Sequence, residues 1–230
     1  MQGKSFKEDN FSHLANDWWD VNGKMSMLHK MNPFRLQYIQ SIISKYHKSN
    51  VRIADIGCGG GLLSEGLSRL DYDVVGFDLS AELIKVAKDH ADLSRLNIKY
   101  ETADKYKDYK EDFDVIICLE VLEHVDDIND FVSNIVGMGK KDAIFIFSTI
   151  NRTIPSFFIT KIGAEYILRK VPIGMHSWSK FLKPSDVSSV MEGFDMRAID
   201  IKGMKVNPIN MEFSMSDNIS TNYFMVFRKC

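Results

Sequence analysis

Ile53-Ala54-Asp55-Ile56-Gly57-Cys58-Gly59-Gly60-Gly61 reads as a β-strand running into a glycine-rich turn, with a helix opening at Leu62. Val51, Ile53, Ala54 and Ile56 suit a strand buried within a parallel sheet. Glycines at 57, 59, 60 and 61 let backbone amides approach a ligand that a Cβ would hold off. A turn of this kind binds a nucleotide-like cofactor. The dinucleotide fingerprint G-x-G-x-x-G/A asks for a small sixth residue, where this chain has Leu62, so a nicotinamide oxidoreductase is disfavoured. Asp73-Val-Val-Gly-Phe-Asp78 follows as a second apolar strand ending in a carboxylate. An acid at the tip of that strand, about twenty positions past the first glycine, accepts hydrogen bonds from ribose hydroxyls. Asp78 can equally help Ser80 cap a helix running from about Ala81 to Asp89. The two roles are compatible.

The chain has 230 residues, enough for one domain over 1–230 with a substantial core. Its formal net charge of −2 argues against a nucleic-acid partner, which calls for a basic balance. Cys58, Cys118 and Cys230 are widely spaced and form no C-x-x-C pair, so neither a disulfide framework nor a zinc site is expected. Cys58 reads as a small filler of the turn. No apolar run approaches the roughly 18 residues of a membrane span, and the first ten residues lack a signal-peptide core. The expected location is the cytoplasm of a bacterium.

Strand signals at 51–56, 73–78, 98–103, 113–119 and 143–149 alternate with helical segments. Later candidates at 196–202 and 222–228 can form an antiparallel hairpin at one edge. The expected fold is α/β, a doubly wound, mostly parallel, seven-stranded sheet. Two segments fall outside it: residues 5–48 as an N-terminal helical cap, and 153–184 as an inserted lid. In such sheets the ligand sits beyond the carboxyl ends of the strands. That places Gly57, Asp78, Asp104, Leu119–His124 and Thr149–Arg152 around one mouth.

Asp55-x-Gly57-x-Gly59 resembles motif I of the class I S-adenosylmethionine methyltransferases, whose sheet is Rossmann-like. Trp18-Trp19-Asp20, Leu28-His-Lys-Met-Asn-Pro-Phe-Arg-Leu36, Leu119-Glu-Val-Leu-Glu-His-Val125, Ser148-Thr-Ile-Asn-Arg152 and Gly163-Ala-Glu-Tyr-Ile-Leu-Arg169 narrow the match. Together they resemble the ubiquinone biosynthesis O-methyltransferases over residues 11 to 226. The resemblance implies S-adenosyl-L-methionine as methyl donor, held at Arg35, Gly57, Gly59, Asp78 and Leu119; the family often has methionine at this last position. It implies two acceptors, a 2-polyprenyl-6-hydroxyphenol and a 3-demethylubiquinol, with other enzymes of ubiquinone assembly as partners. It also implies dependence on magnesium-like ions (Mg2+).

Arg35 can hold the donor's carboxylate through a bidentate pair that lysine would not reproduce; its alternative is a surface arginine. Asp104 can accept from the adenine amino group, or belong to a solvated loop with Lys105 and Lys107. The acceptor is the harder problem, because a phenol has a pKa of about 10 and is scarcely ionised at neutral pH. Glu120, Glu123 and His124, spaced for one helix face, can hold a divalent cation. Alternatively His124 acts directly as base, with Glu123 beside it in the catalytic pair. Both acids also suit a helix N-terminus in a site without metal.

The 153–184 insertion has five lysines and arginines against Glu165, amid Ile154, Phe157, Phe158, Ile159 and Ile162. Too short to span, it fits the interface of an anionic inner membrane, where the protein would associate peripherally. Another small-molecule methyltransferase of the same fold and a non-catalytic cofactor-binding scaffold of quinone synthesis are the rival readings.

Overall fold

The computed structural model describes residues 12–156, 178–207 and 211–230. Parallel strands β1 (Arg52–Ile56), β2 (Asp73–Asp78), β3 (Lys99–Thr102), β4 (Phe113–Leu119) and β5 (Gly139–Ile150) alternate with helices. Two further elements, β6 (Met196–Val206) and β8 (Asn222–Lys229), pair antiparallel with one another. The sheet order is β3-β2-β1-β4-β5-β8-β6-β7. β7 is the short strand Phe213–Ser216, so eight strands stand where seven were expected. Phe213-Ser-Met-Ser216 alternates apolar and polar over only four residues, a short strand signal; β7 pairs where β6 runs on to Val206, and Phe213 and Met215 pack against the core. The expected edge hairpin is corrected in the same way: β8 lies inside the sheet, between β5 and β6, and β7 takes the edge.

Parallel strands covered on both faces need continuous apolar sequence, and Val115–Cys118 of β4 is buried throughout. One face is covered by α1 (Ser26–Tyr46) and α2 (Leu62–Ser68). Tyr38, Ile39, Ile42, Ile43, Leu63 and Leu67 pack there on Val74, Val115, Ile117 and Ile144. Burying each such aliphatic side chain contributes about 1.5–3 kcal/mol. The other face carries α4 (Ile128–Val136) and the helix Pro184–Glu192, through Phe131, Val132, Ile135, Val187 and Met191.

Helix α3 (Ala81–Leu93) begins at Ser80, whose hydroxyl accepts from the Leu83 amide at 3.2 Å, the cap expected from the sequence. Strand order reverses between β1 and β4, which opens a crevice beyond their carboxyl ends. Among the described residues no helix is long and apolar enough to cross a membrane.

Candidate functional site

The turn after β1 is left-handed at Gly57, Gly59 and Gly61, with φ of +73°, +55° and +89°. Asp78, at the tip of β2, is bound into it: one carboxylate oxygen accepts from the Gly59 amide at 2.8 Å and the other from the Ser80 amide at 2.9 Å. Gly57, Gly59 and Asp78 therefore come together, and Asp78 also braces the start of α3. Beneath them Asp55 is buried and accepts from the Ser64 hydroxyl at 2.5 Å. Burial pushes its carboxyl up to about 6, against the pull of that hydrogen bond. Burial likewise drives the Cys58 thiol well above its ordinary value, in keeping with a filler rather than a nucleophile.

An indole covers the turn. Trp18 is only 7% exposed, and a Cβ on Gly59 or Gly60 would lie 2.2 or 2.4 Å from its ring. Trp19 donates its indole N–H to the Gly60 carbonyl at 3.0 Å and stacks on His90 with centroids 3.4 Å apart. His90 in turn meets the buried Glu65 carboxylate at 2.5 Å. The Trp18 carbonyl contacts His29 Nε2 at 2.9 Å, which ties this segment to α1. We call residues 12–25 the strap.

Arg35, on α1, is buried rather than surface-exposed. Its Nη2 lies 3.6 Å from Glu120 Oε1, beyond hydrogen-bond reach, and Nε and Nη2 have no hydrogen-bond partner among the described residues. Burial lowers its pKa while Glu120, Asp55 and Glu123 oppose the shift. A guanidinium held this way keeps donors for an incoming carboxylate.

Beyond β4, Leu119 is half-buried beside the core that α1 covers. Glu120 takes a left-handed conformation (φ +57°), a strained choice for a side chain of its size. It precedes the short 3-10 turn Leu122–His124. This geometry corrects the expectation of a shared helix face for Glu120, Glu123 and His124, because the backbone there is not α-helical. Glu120 accepts from the Ser148 hydroxyl at 2.7 Å, and the buried Glu123 accepts from Thr149 at 2.7 Å. Burial first, and the Glu120 carboxyl beside it second, push Glu123 well above the usual carboxylate range. The described residues hold no group of three His, Cys, Asp or Glu side chains arranged to take a metal ion. Glu120, Glu123 and His124 thus do not stand together as a ready three-ligand set for the expected Mg2+.

His124 stands half-buried at the end of that turn. Asp104 is exposed after β3, where the Thr102 hydroxyl lowers its pKa and Lys105 lies 3.7 Å away. The inserted segment falls largely outside the described residues; at its flanks Ile154 is 70% exposed and Trp178 42%. The contacts of Trp18, Ser148 and Thr149 carried no sequence signal beyond their place in quoted blocks, and that of Ser64 carried none at all.

A family model described as a methyltransferase domain matches residues 54–147, from β1 into β5. A ubiquinone biosynthesis O-methyltransferase from Pelagibacter ubique is 40% identical over 96% of this chain and 96% of its own length. One from Coxiella burnetii is 41% identical over 94% of this chain and 92% of its own. Among solved structures, magnesium protoporphyrin IX methyltransferase from Synechocystis PCC 6803 with bound SAH superposes with a TM-score of 0.70. That pair shares 17% identity and 96% coverage of both chains, a likeness of fold.

Proposed function

The chain belongs to the ubiquinone biosynthesis O-methyltransferases, and on that premise we propose that it methylates phenolic hydroxyls of polyprenylated intermediates with S-adenosyl-L-methionine as donor. The acceptors are a 2-polyprenyl-6-hydroxyphenol and a 3-demethylubiquinol. The observation that carries the donor assignment is the Arg35 guanidinium, buried at the crevice with unpartnered N–H groups. When bound, the donor supplies an electrophilic methyl group on a sulfonium.

Arg35 would hold its carboxylate, the Gly57–Gly61 turn its close approach, Asp78 its ribose and Asp104 its adenine edge. Leu119 forms an apolar wall. Asp55, Asp78 and Glu120 surround this crevice with acidic groups, which favours a cationic donor. Catalysis of an in-line transfer rests largely on alignment, and these residues sit on strand ends and a packed helix, which fixes them.

The acceptor proton still has to leave. His124, at the mouth, is the proposed base, its ordinary pKa near 6.5 being suited to that task. Glu123 carries its own proton to higher pH and braces the turn through Thr149. Residues 1–230 act as one catalytic domain, with 5–48 as its cap and 153–184 as a lid that meets the cytoplasmic face of the inner membrane, where the substrates and the other enzymes of ubiquinone assembly work.

Purified protein incubated with the donor and a short-chain prenyl catechol should yield the mono-methyl ether by mass spectrometry. Donor binding without product on either acceptor class would support the scaffold reading instead. Co-sedimentation with anionic liposomes should be lost on deletion of 157–168; binding that persists would refute the lid's membrane role.

A further inference from the structure

The four glycines of the cofactor turn are commonly explained by the ligand alone, yet here protein atoms fill the space beside each of them. Val121 stands against Gly57, Trp18 against Gly59 and Gly60, and Tyr100 against Gly61. The most consequential of these neighbours is Trp18. Its ring is wedged between the turn and Leu83 of α3, and Trp19, His29 and His90 fasten the segment on either side. A tryptophan buried to this degree normally donates its indole N–H. Trp19 does so; Trp18 Nε1 is buried with no partner among the described residues. That atom lies 2.9 Å from where a Gly60 Cβ would stand, directly over the turn.

A buried donor without an acceptor is costly, and besides the Tyr100 hydroxyl against Gly61 the described residues leave two more such side chains at this crevice, Arg35 and Trp18. Both are 7% exposed. They come from different elements, α1 and the strap, so their pairing is not a local accident of one helix. We propose that Trp18 is a donor-binding residue: the strap forms a wall of the S-adenosylmethionine pocket, and the Trp18 indole N–H donates to an oxygen of the bound molecule. This deepens the function proposed above and rests on it. The indole also keeps water from the turn, so that Asp55 and Asp78 act on the ligand in a low-dielectric setting.

The test uses the intact protein and S-adenosylhomocysteine, which binds without turnover. The chain has three tryptophans, so three indole N–H resonances are expected. Trp19→Phe and Trp178→Phe, with Trp18→Phe where it folds, assign them. On saturation with S-adenosylhomocysteine the Trp18 resonance should move downfield as it gains an acceptor. Trp19, already bonded to Gly60, should move far less. By calorimetry Trp18→Phe, which keeps an aromatic but smaller ring and removes the N–H, should weaken binding about tenfold, the loss expected for one hydrogen bond in a buried site. Its unfolding midpoint without ligand should fall modestly, as the smaller ring leaves a cavity, and the ligand-induced rise should shrink as well. An unmoved Trp18 resonance, or unchanged affinity in Trp18→Phe, overturns the proposal. Failure of the wild-type protein to bind S-adenosylhomocysteine at all would instead strike the proposed function.

Discussion

Replacing Gly60 by alanine isolates the seat of the strap from every other demand on the turn. Gly60, unlike Gly57, Gly59 and Gly61, is not left-handed, so alanine adds no backbone strain there. Its Cβ would meet Trp18 Cδ1 at 2.4 Å and Cγ at 2.6 Å. Carbon atoms pack at about 3.5–4.0 Å, so the indole has to retreat by roughly 1 Å or more. Losing the burial of an aromatic side chain altogether would cost about 4–6 kcal/mol, which bounds the effect from above. Overpacking of this size typically costs about 1–3 kcal/mol, and we expect about 2 kcal/mol for Gly60→Ala. With Trp18→Ala the obstacle is gone, and the same substitution should then cost less than about 0.5 kcal/mol. Gly59→Ala should behave differently, because its φ of +55° leaves about 1–2 kcal/mol of strain even without Trp18. Urea unfolding followed by far-ultraviolet circular dichroism, which does not rely on the tryptophans, measures all four corners of the cycle. Equal costs for Gly60→Ala with and without Trp18 would refute the seating of the indole on the turn.

Arg35→Ala should weaken S-adenosylhomocysteine binding by about 10- to 100-fold in calorimetry, with Arg35→Lys restoring little of it, since a point charge lacks the planar fork. Asp55 is an acid whose pKa is raised in the folded state, from 3.8 to about 6, so its contribution to stability is full below pH 4 and is lost as pH rises through 6. That loss amounts to about 3 kcal/mol; Asp55→Asn should flatten the decline in urea midpoint between pH 4 and 7, and an unchanged slope would remove Asp55 as its source. His124→Ala should lower kcat by about 10²- to 10⁴-fold while leaving S-adenosylhomocysteine affinity intact, and a variant of near-normal kcat would dismiss His124 as the base.

Strand ends were readable because their chemistry is local. Gly57 and Asp78 sit at the tips of two apolar runs, and the spacing between them follows from one strand–helix–strand unit. The same local logic gave Ser80 as the cap of α3. It failed at Glu120, where an i, i+3 and i+4 rule for helices was applied to a backbone that is left-handed and then 3-10. The two carboxyls end on Ser148 and Thr149, neighbours on β5 that adjoin them only through the β4–β5 pairing. Trp18 was visible as part of a pattern, but its contact with a turn some forty positions away has no periodicity to announce it. β7 was missed because its Phe213-Ser-Met-Ser216 alternation spans only four residues and pairs only where β6 runs on far enough to meet it.

The place of β8 carries a consequence for how this chain reaches its final form. Although it follows β6 and β7 in the sequence, β8 is not added at the margin but slotted between β5 and β6, and among the described strands it is what joins β6 and β7 to the parallel half. Until Asn222–Lys229 leaves the ribosomal exit tunnel, β6 has no partner on that side and the hydrogen-bonding groups along one side of β5 stay open. Removal of Asn222–Lys229 would therefore split the sheet in two rather than trim it, and a chain without that strand would expose apolar β5 to any neighbour able to pair with it.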